Sequence, residues 1–431
     1  MRQLSVLLIA GALVWAYLKY FPANEPQAVE PTNGAAGGGV TQTADLPAPE
    51  ITDPEPAEEN RRPLPQTSNN RFAPASAASR NARAAVNELA RALAHDDDGA
   101  FAGVLAEATR GIGENRARAL DLFRIAVSGD VAGARAQADA GLLDELPARE
   151  RALLEAALGA GQEPSVLLEP EGPLDRAMIM RLHAALAEFD ALAGDSGAAA
   201  RRFGRVLELE FDAPWAIDPV AAERWSEALR DVERRHRWDP RGDWPAIELV
   251  AEPGEGWIDL RKRAIAERPD LSISAGLIAR ANGASFEKSV RRGQKVRVPT
   301  DPVSVRIDVS SRWLLYMIGD EVVDSYEVGV GRPGEETLTG EFIAGTKQTE
   351  PVYWGISPPA PFGDPENPLG TRWIGWRIPG ESSDTSYGLH GTWEPESIGH
   401  AASEGCVRMH NDEVEVLYDI IPSGAPIFVR D

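Results

Sequence analysis

The single cysteine of this 431-residue chain, Cys406, lies sixteen residues after a histidine, His390. A cysteine attacks a carbonyl carbon as a thiolate, yet a free thiol has a pKa of about 8.5 and is mostly protonated at neutral pH. A neighbouring imidazole can take that proton and hold the resulting ion pair. The two residues therefore predict nucleophilic catalysis, with Cys406 as the nucleophile and His390 as the general base and acid.

Residues beside this pair are candidates for oxyanion or substrate binding: Gly405, Arg408, Gly391 and Ser403. Gly405 leaves space for a substrate carbonyl next to the sulfur, and the backbone N–H groups of Gly405 and Cys406 can form an oxyanion hole. The planar guanidinium of Arg408 suits either a substrate carboxylate or a brace for the loop. Gly391 lets the chain turn directly after the histidine.

The sequence around these residues resembles a known signature. Residues 387–392 read YGLHGT and residues 403–411 read SEGCVRMHN. With the interval between them, they resemble the centre of the L,D-transpeptidase catalytic domain of the YkuD type. The upstream GRPGEETLTGEF (331–342) resembles that family's entry into a strand, and PSGAPIFV (422–429) resembles its last turn and strand. The resemblance extends over residues 303–431.

This resemblance implies a peptidoglycan L,D-transpeptidase. In that family the thiolate attacks the third residue of a tetrapeptide stem, expels the terminal D-alanine and forms a thioester. The histidine passes the thiol proton to the leaving amine, and a main-chain carbonyl orients its ring. A second stem's side-chain amine then gives a 3–3 cross-link, whereas water gives L,D-carboxypeptidase activity. Attachment of a wall protein, or hydrolysis of that link, is also open to such a site. No cofactor or metal is implied, and a carbapenem is expected to acylate Cys406.

The chain departs from the family pattern directly before Gly405. Glu404 occupies the place where the family usually has a histidine. A carboxylate beside the thiol is expected to raise the thiol pKa unless Arg408 or the catalytic histidine offsets the charge. His400 and His410 are candidates to compensate for the missing histidine. Glu404 is also the feature that favours the alternative of a non-catalytic peptidoglycan-binding scaffold.

The composition excludes several classes of protein. Lys and Arg total 44 against 67 Asp and Glu, which gives a formal net charge of -23. Such a chain lacks the basic footprint of a nucleic-acid-binding protein and is not attracted to anionic lipid. A single cysteine excludes an internal disulfide framework and any zinc or iron–sulfur site with several cysteine ligands.

The N-terminal residues predict export and anchoring. Arg2 precedes an apolar run that ends near Phe21, and acidic residues follow it. This order favours a single-pass signal-anchor helix over 1–21 with the remainder of the chain outside, and a cleaved signal peptide is the alternative. Residues 22–78 are rich in Pro, Gly, Ala, Thr and Glu and predict a disordered tether. Together with the catalytic prediction, these segments place the protein in the bacterial cell envelope, on the periplasmic side of the inner membrane.

Residues 79–240 have the apolar periodicity of helices. Within them, 182–210 reads as a helix, a Gly-Asp-Ser-Gly turn and a second helix, which resembles a tetratricopeptide-type hairpin. No regular repeat period extends across the region. A surface for a protein partner and a plain helical spacer are therefore equally open interpretations.

Residues 245–300 predict a small βααβ unit that resembles a LysM domain. The resemblance depends mainly on ARANG (279–283) and RRGQKVRVP (291–299). LysM domains bind glycans that contain N-acetylglucosamine, such as peptidoglycan, so the resemblance implies a second contact with the wall. A structural unit without sugar affinity is the alternative.

From residue 303 onward the alternation of apolar and polar residues is that of strands. The sequence therefore predicts a multidomain chain with an N-terminal membrane anchor, an α-helical hairpin region, a small LysM-like unit and a C-terminal mainly β domain (303–431) of the L,D-transpeptidase type. Trp354, Trp373, Trp376 and Trp393 lie in the last domain. They either form the wall of a cleft or pack the interior of the domain.

Overall fold

A computed structural model describes residues 77–95, 98–138, 140–159, 169–213 and 219–431. All of them belong to one structural unit, residues 73–431. The predicted anchor (1–21) and all but the last two residues of the predicted tether (22–78) lie outside the described residues. Within the described ranges, no helix is both long and apolar enough to cross a membrane.

The first part of the described chain is helical, as its periodicity predicts. The helices are α1 Ala77–Ala94, α2 Asp98–Ile112, α3 Glu114–Val127, α4 Val131–Gln137, α5 Ala140–Asp144, α6 Ala148–Ala157, α7 Pro173–Ala193, α8 Ser196–Phe211 and α9 Pro219–His236. The helix–turn–helix predicted over 182–210 corresponds to α7 and α8. Gly194 ends α7 with a left-handed φ of 87°, and Asp195 caps α8 by accepting from Ala198 N at 2.9 Å.

A small unit with the predicted βααβ order follows. It consists of β1 Ala246–Val250, α10 Trp257–Glu267, α11 Ala275–Ala281 and β2 Lys295–Pro299, and the two strands pair antiparallel. The side chain of Asn282, directly after α11, accepts from Arg297 N at 2.9 Å and donates to Arg297 O at 2.7 Å. The asparagine of the ARANG stretch therefore joins the second helix to the last strand of the unit.

The C-terminal part is mainly β, which confirms the predicted class of this domain. Its elements are β3 Val303–Asp308, β4 Trp313–Ile318, β5 Glu321–Glu327, β6 Val330–Gly331, β7 Gly340–Thr349, β8 Arg372–Arg377, β9 Gly388–His390, β10 Ala401–Ser403, β11 Val407–Arg408, α12 Asn411–Ile420 and β12 Pro426–Arg430. Eight strands form one mixed sheet in the order β11-β9-β8-β7-β12-β3-β4-β5. Strands β6 and β10 form a separate parallel pair.

The helical region packs on one face of this sheet. Strand β4 is buried along its whole length, because alternate side chains enter different cores. The side chains that pack with the helices are Trp313, Leu315 and Met317, and those that enter the other core are Leu314, Tyr316 and Ile318. Helix α8 approaches β5 so closely that a Cβ on Gly204 would lie 2.8 Å from Val322 O. Helices and sheet therefore share one hydrophobic core.

Buried polar contacts join α9 to β5. Arg230 Nε lies 2.8 Å from Asp324 Oδ1, and Arg230 Nη2 donates to Ser325 O at 2.7 Å. The hydroxyls of Ser226 and Ser325 are 2.5 Å apart. Asp324 is only 3% exposed, so its negative charge depends on Arg230, and on Arg280 at 3.8 Å, for compensation.

Candidate active site

His390 is the last residue of β9 and is 3% exposed. Its Nδ1 lies 2.6 Å from Gly391 O. Because a carbonyl oxygen only accepts, this hydrogen bond assigns the ring proton to Nδ1 and leaves Nε2 as the basic nitrogen. Trp373 of the neighbouring β8 stacks on the imidazole, with 6.0 Å between the ring centroids. The ring is therefore held in one tautomer, and the carbonyl that orients it is Gly391 O.

The environment of His390 keeps the imidazole neutral. Burial lowers the pKa of His390 to about 4, the hydrogen bond to Gly391 O opposes this change, and the positive charge of Arg408 adds to it. At neutral pH the ring is therefore uncharged and able to accept a proton.

Cys406 lies beside the beginning of β9. Gly388 N–H donates a hydrogen bond to the sulfur, and Sγ lies 3.8 Å from Ser386 O. Gly388 and His390 are two residues apart on one strand, a distance of about 7 Å between their Cα atoms. The register agrees with this placement, because β11 pairs in parallel with β9 and sets Arg408 opposite His390. The sheet thus sets Cys406 beside Gly388, two residues before His390 on the same strand.

Burial has the opposite effect on the thiol. It raises the pKa of Cys406 to about 11, while the Gly388 N–H and the charge of Arg408 lower the pKa and the carboxylate of Glu404 raises it further. With the His390 pKa at about 4, both groups are neutral at pH 7. The ion pair expected from the sequence is therefore not the resting state, because desolvation penalises both charges.

Ser403 and Gly405 build the turn that carries Cys406. Ser403 Oγ donates to Cys406 O at 2.6 Å and accepts from Gly405 N at 3.1 Å. Gly405 has a φ of 106°, and a Cβ there would lie 2.5 Å from Tyr387 Cε1, so the position needs glycine. Ser403 is 2% exposed and shapes the turn. Since the Gly405 N–H is occupied, the Cys406 N–H is the group that we retain for an oxyanion.

Arg408 braces a loop beside the site. Its Nη1 lies 2.7 Å from Glu394 Oε2, and 12% of its side chain is exposed. Of the two roles considered for this arginine, the observed contact matches the brace. Its positive charge still acts on the pKa values of both His390 and Cys406, so it favours a thiolate and disfavours an imidazolium.

Asn411 is a site residue that the sequence analysis did not assign. It begins α12, where its Oδ1 accepts from Thr371 N at 3.1 Å and its Nδ2 donates to Thr392 O at 2.8 Å. A Cβ on Gly391 would lie 2.1 Å from that Oδ1. Gly391 is therefore needed because it leaves room for the asparagine that holds the histidine loop. The sequence feature that indicates this residue is its place at the end of SEGCVRMHN, the segment that resembles the family signature.

Glu404 lies at the surface of the site and pairs with Arg332, with 3.2 Å between Oε1 and Nη2. Its effect on the Cys406 pKa has the expected direction and is smaller than that of burial. His400 and His410, the two candidates to compensate for the missing histidine, act on the carboxylate of Glu327. Burial raises the pKa of Glu327, and the charges of His400 and His410 lower it.

Cys406 opens into a cleft of about 470 Å³. The tryptophans divide between the two roles considered for them: Trp354 and Trp373 line the cleft, Trp376 is completely buried, and Trp393 is half exposed outside the cleft. One wall belongs to the loop between β7 and β8. That loop is held by Asn367, which is 1% exposed and donates from Nδ2 to Pro351 O at 2.9 Å and to Ala360 O at 3.1 Å.

Comparison with known proteins decides the family. The model of the L,D-transpeptidase catalytic domain (YkuD) matches residues 302–429. The L,D-transpeptidase-type protein YqjB of Bacillus subtilis is 37% identical over 134 residues, which are 31% of this chain and 74% of YqjB. The chain belongs to the L,D-transpeptidase family. YkuD of the same organism is 30% identical over 167 residues, which are 37% of this chain and 89% of YkuD.

Solved structures similar to this L,D-transpeptidase include an L,D-transpeptidase from Mycobacterium smegmatis. That protein is 24% identical, with a TM-score of 0.25, over 32% of this chain and 64% of that chain. The family membership confirms the resemblance of the C-terminal domain and the prediction of an enzyme. The LysM and tetratricopeptide resemblances remain predictions.

Proposed function

We propose that this L,D-transpeptidase acts on peptidoglycan and transfers the acyl group of a tetrapeptide stem to an acceptor amine, giving 3–3 cross-links through a thioester on Cys406. The observation that carries the proposal is the position of the chain's one thiol. The sulfur opens into the cleft and is hydrogen-bonded to the strand that ends in His390. A cleft of about 470 Å³ has the size of a small-ligand site and accommodates part of a stem peptide.

Acylation begins from two neutral groups. As Sγ attacks the carbonyl carbon of the third stem residue, Nε2 of His390 takes the thiol proton. The tetrahedral intermediate then expels the terminal D-alanine, whose nitrogen receives the proton from the imidazolium. Both charges exist only during attack, so the Cys406 N–H stabilises the transition state more than the resting enzyme. The charge of Arg408 favours the developing negative charge and opposes the imidazolium.

Deacylation reverses the proton path. The acceptor nitrogen attacks the thioester carbonyl, the new C–N bond forms and the C–S bond breaks. His390 takes the proton that the nitrogen loses and returns it to the sulfur. Water in place of the amine gives the L,D-carboxypeptidase reaction at the same residues, and a wall protein in place of a stem gives attachment.

The remainder of the chain suits delivery of the enzyme to its polymer. The apolar run at 1–21 and the Pro-rich residues after it support anchoring to the inner membrane with the catalytic domain on the periplasmic side. The βααβ unit at 245–300 is proposed to hold the glycan strand, which would raise the effective concentration of stem peptides. The helical region is proposed to offer a surface to a protein partner.

The test uses the purified full chain and muropeptides with tetrapeptide stems. Mass spectrometry is expected to show an acyl adduct on Cys406, released D-alanine and cross-linked dimers, and Cys406→Ala is expected to abolish all three. A carbapenem is expected to leave a covalent adduct on the same residue. Hydrolysed monomers without dimers would favour the carboxypeptidase. Absence of any adduct, with binding to glycan strands retained, would refute the enzymatic proposal in favour of the scaffold.

A further inference from the structure

In the part of the chain that the structure describes, the lining of the cleft carries a single charge, and that charge is negative. Among the described residues, Glu404 is the one charged side chain that lines the cleft, where the other polar lining residues are Gln348, Tyr353, Ser386 and the nucleophile. A substrate group that enters this cleft therefore meets one negative charge and no lining positive charge. Such a surface attracts a cation and repels a carboxylate.

The carboxylate of Glu404 is available to a ligand. Its side chain is 66% exposed, and the ion pair with Arg332 involves an arginine that is itself 47% exposed. Exposed pairs of this kind contribute little free energy. A cation from a substrate can therefore displace the guanidinium at small cost.

Glu404 also lies within electrostatic range of the reacting sulfur. Its negative charge raises the pKa of Cys406, and it contributes with burial to a raised pKa of Tyr353, another lining residue. The carboxylate of Glu404 thus acts on the pKa of two lining groups, Cys406 and Tyr353. A cation held by Glu404 would lie next to the thioester formed at position 406.

We propose that Glu404 is a specificity residue that binds the ammonium group of the acyl acceptor, so that the thioester reacts with an amine in preference to water. The inference depends on the function proposed above and extends it, because it assigns the choice between cross-linking and hydrolysis to one residue. Glu404 occupies the position where the family usually has a histidine, which cannot supply a fixed negative charge.

The chemistry balances without a further reactant. The acceptor arrives as an ammonium and loses one proton through the exposed carboxylate of Glu404 to water. The neutral nitrogen attacks the thioester carbonyl, the C–N bond forms and the C–S bond breaks. The second proton leaves the nitrogen through His390 and restores the thiol of Cys406.

The experiment measures how one acyl-enzyme partitions between two products. The full chain is acylated with a tetrapeptide stem, and the ratio of aminolysis to hydrolysis is measured with an acceptor stem that carries a free side-chain amine. Glu404→Gln is expected to lower this ratio by up to about fivefold, the upper end for an ion pair on an exposed carboxylate. Arg332→Gln is expected to raise it by up to about fivefold, because it removes the competing cation. Glu366→Gln makes the same change on an exposed side chain outside the cleft and is expected to leave the ratio unchanged.

Opposite effects of the Glu404 and Arg332 variants distinguish acceptor binding from a structural role of the ion pair, which would make both variants change the ratio in one direction. Hydroxylamine provides a second readout, because it is an uncharged nucleophile at neutral pH. The ratio of hydroxylamine attack to hydrolysis is expected to be the same in Glu404→Gln as in the natural protein. An intact acyl adduct with an unchanged amine ratio, or an equal loss with hydroxylamine, would refute this inference alone. Absence of the adduct in the natural protein would refute the proposed function as well.

Discussion

The strongest test of the site concerns the reactivity of its thiol as the pH is raised. Burial raises the pKa of Cys406 to about 11 and lowers that of His390 to about 4. The free enzyme therefore holds a neutral thiol and a neutral imidazole across the whole range between these values. An enzyme that stores a thiolate–imidazolium pair would have its thiol pKa shifted in the other direction.

The expected size of the pH effect follows from the fraction of Cys406 that is present as thiolate. With a pKa of about 11, roughly one thiol in 10,000 is ionised at pH 7, and this fraction rises about tenfold with each pH unit. The same cysteine in the unfolded chain has an ordinary pKa of about 8.5, so at pH 7 the folded protein should hold roughly 300-fold less thiolate.

Alkylation by iodoacetamide without substrate measures this fraction, and because the chain has one cysteine the rate reports Cys406 alone. We expect the rate to rise about tenfold per pH unit up to about pH 10 and to reach half of its maximum only near pH 11. The unfolded protein in urea is the matched control, and its rate should reach half of its maximum near pH 8.5. Comparing the shapes of the two profiles removes the effect of access to the cleft.

The reasoning is wrong if the rate in the folded protein is already constant between pH 6 and 8. That result would show a stable thiolate. In that case His390→Gln would shift the profile toward higher pH, whereas with a neutral pair this variant leaves the midpoint in place. The acylation rate with a stem peptide is correspondingly expected to vary little between about pH 5 and 9, because neither group changes its charge there.

Two further predictions concern packing. Gly391→Ala places a Cβ 2.1 Å from Asn411 Oδ1; it is expected to lower the free energy of unfolding by about 1–3 kcal/mol and the rate of adduct formation by at least about tenfold. Gly103→Ala on α2 is the control, because a Cβ added there would meet no other described part of the protein within 4 Å. An equal loss in both variants would contradict the steric argument. Asp324→Asn removes one partner of the buried ion pair between β5 and α9 and is expected to cost about 3–5 kcal/mol in urea denaturation. Asp231→Asn, in an exposed pair, should cost less than about 1 kcal/mol, and similar losses would show that the buried pair is not special.

The chemistry of the site could be predicted from the sequence because it depends on residue types at a short spacing. One cysteine, one histidine at a strand end and a glycine before the thiol, together with the family resemblance, predict Cys406 and His390, and the structure sets Cys406 beside the strand that ends in His390. The strand pattern of the last domain was equally clear. The continuous apolar run of β4, WLLYMI, indicates a strand buried on both faces, although the sequence does not show which elements cover each face.

The charge states could not be predicted from the sequence, because they depend on burial by residues far along the chain. Trp373 lies on β8 and stacks on His390, and the loop between β7 and β8 supplies one wall above Cys406. Glu404, the neighbour that the sequence analysis singled out, has a smaller effect on the thiol pKa than this burial. The sequence shows which groups are adjacent along the chain, whereas desolvation is set by contacts between distant segments.

Helix α12 connects the βααβ unit to the active site. Its first residue, Asn411, holds the loop that follows His390. Near its other end, Ser274 Oγ donates to Asp419 O at 2.7 Å, and a Cβ on Gly276 would lie 2.3 Å from the same oxygen, so α11 packs directly on this helix. The helix has only ten residues, about 15 Å of length. The βααβ unit therefore fixes the position of α12 at one end, and at the other end α12 holds the loop that follows His390. The unit before the catalytic domain thus contributes to the geometry of the site, in addition to any part that it has in binding glycan.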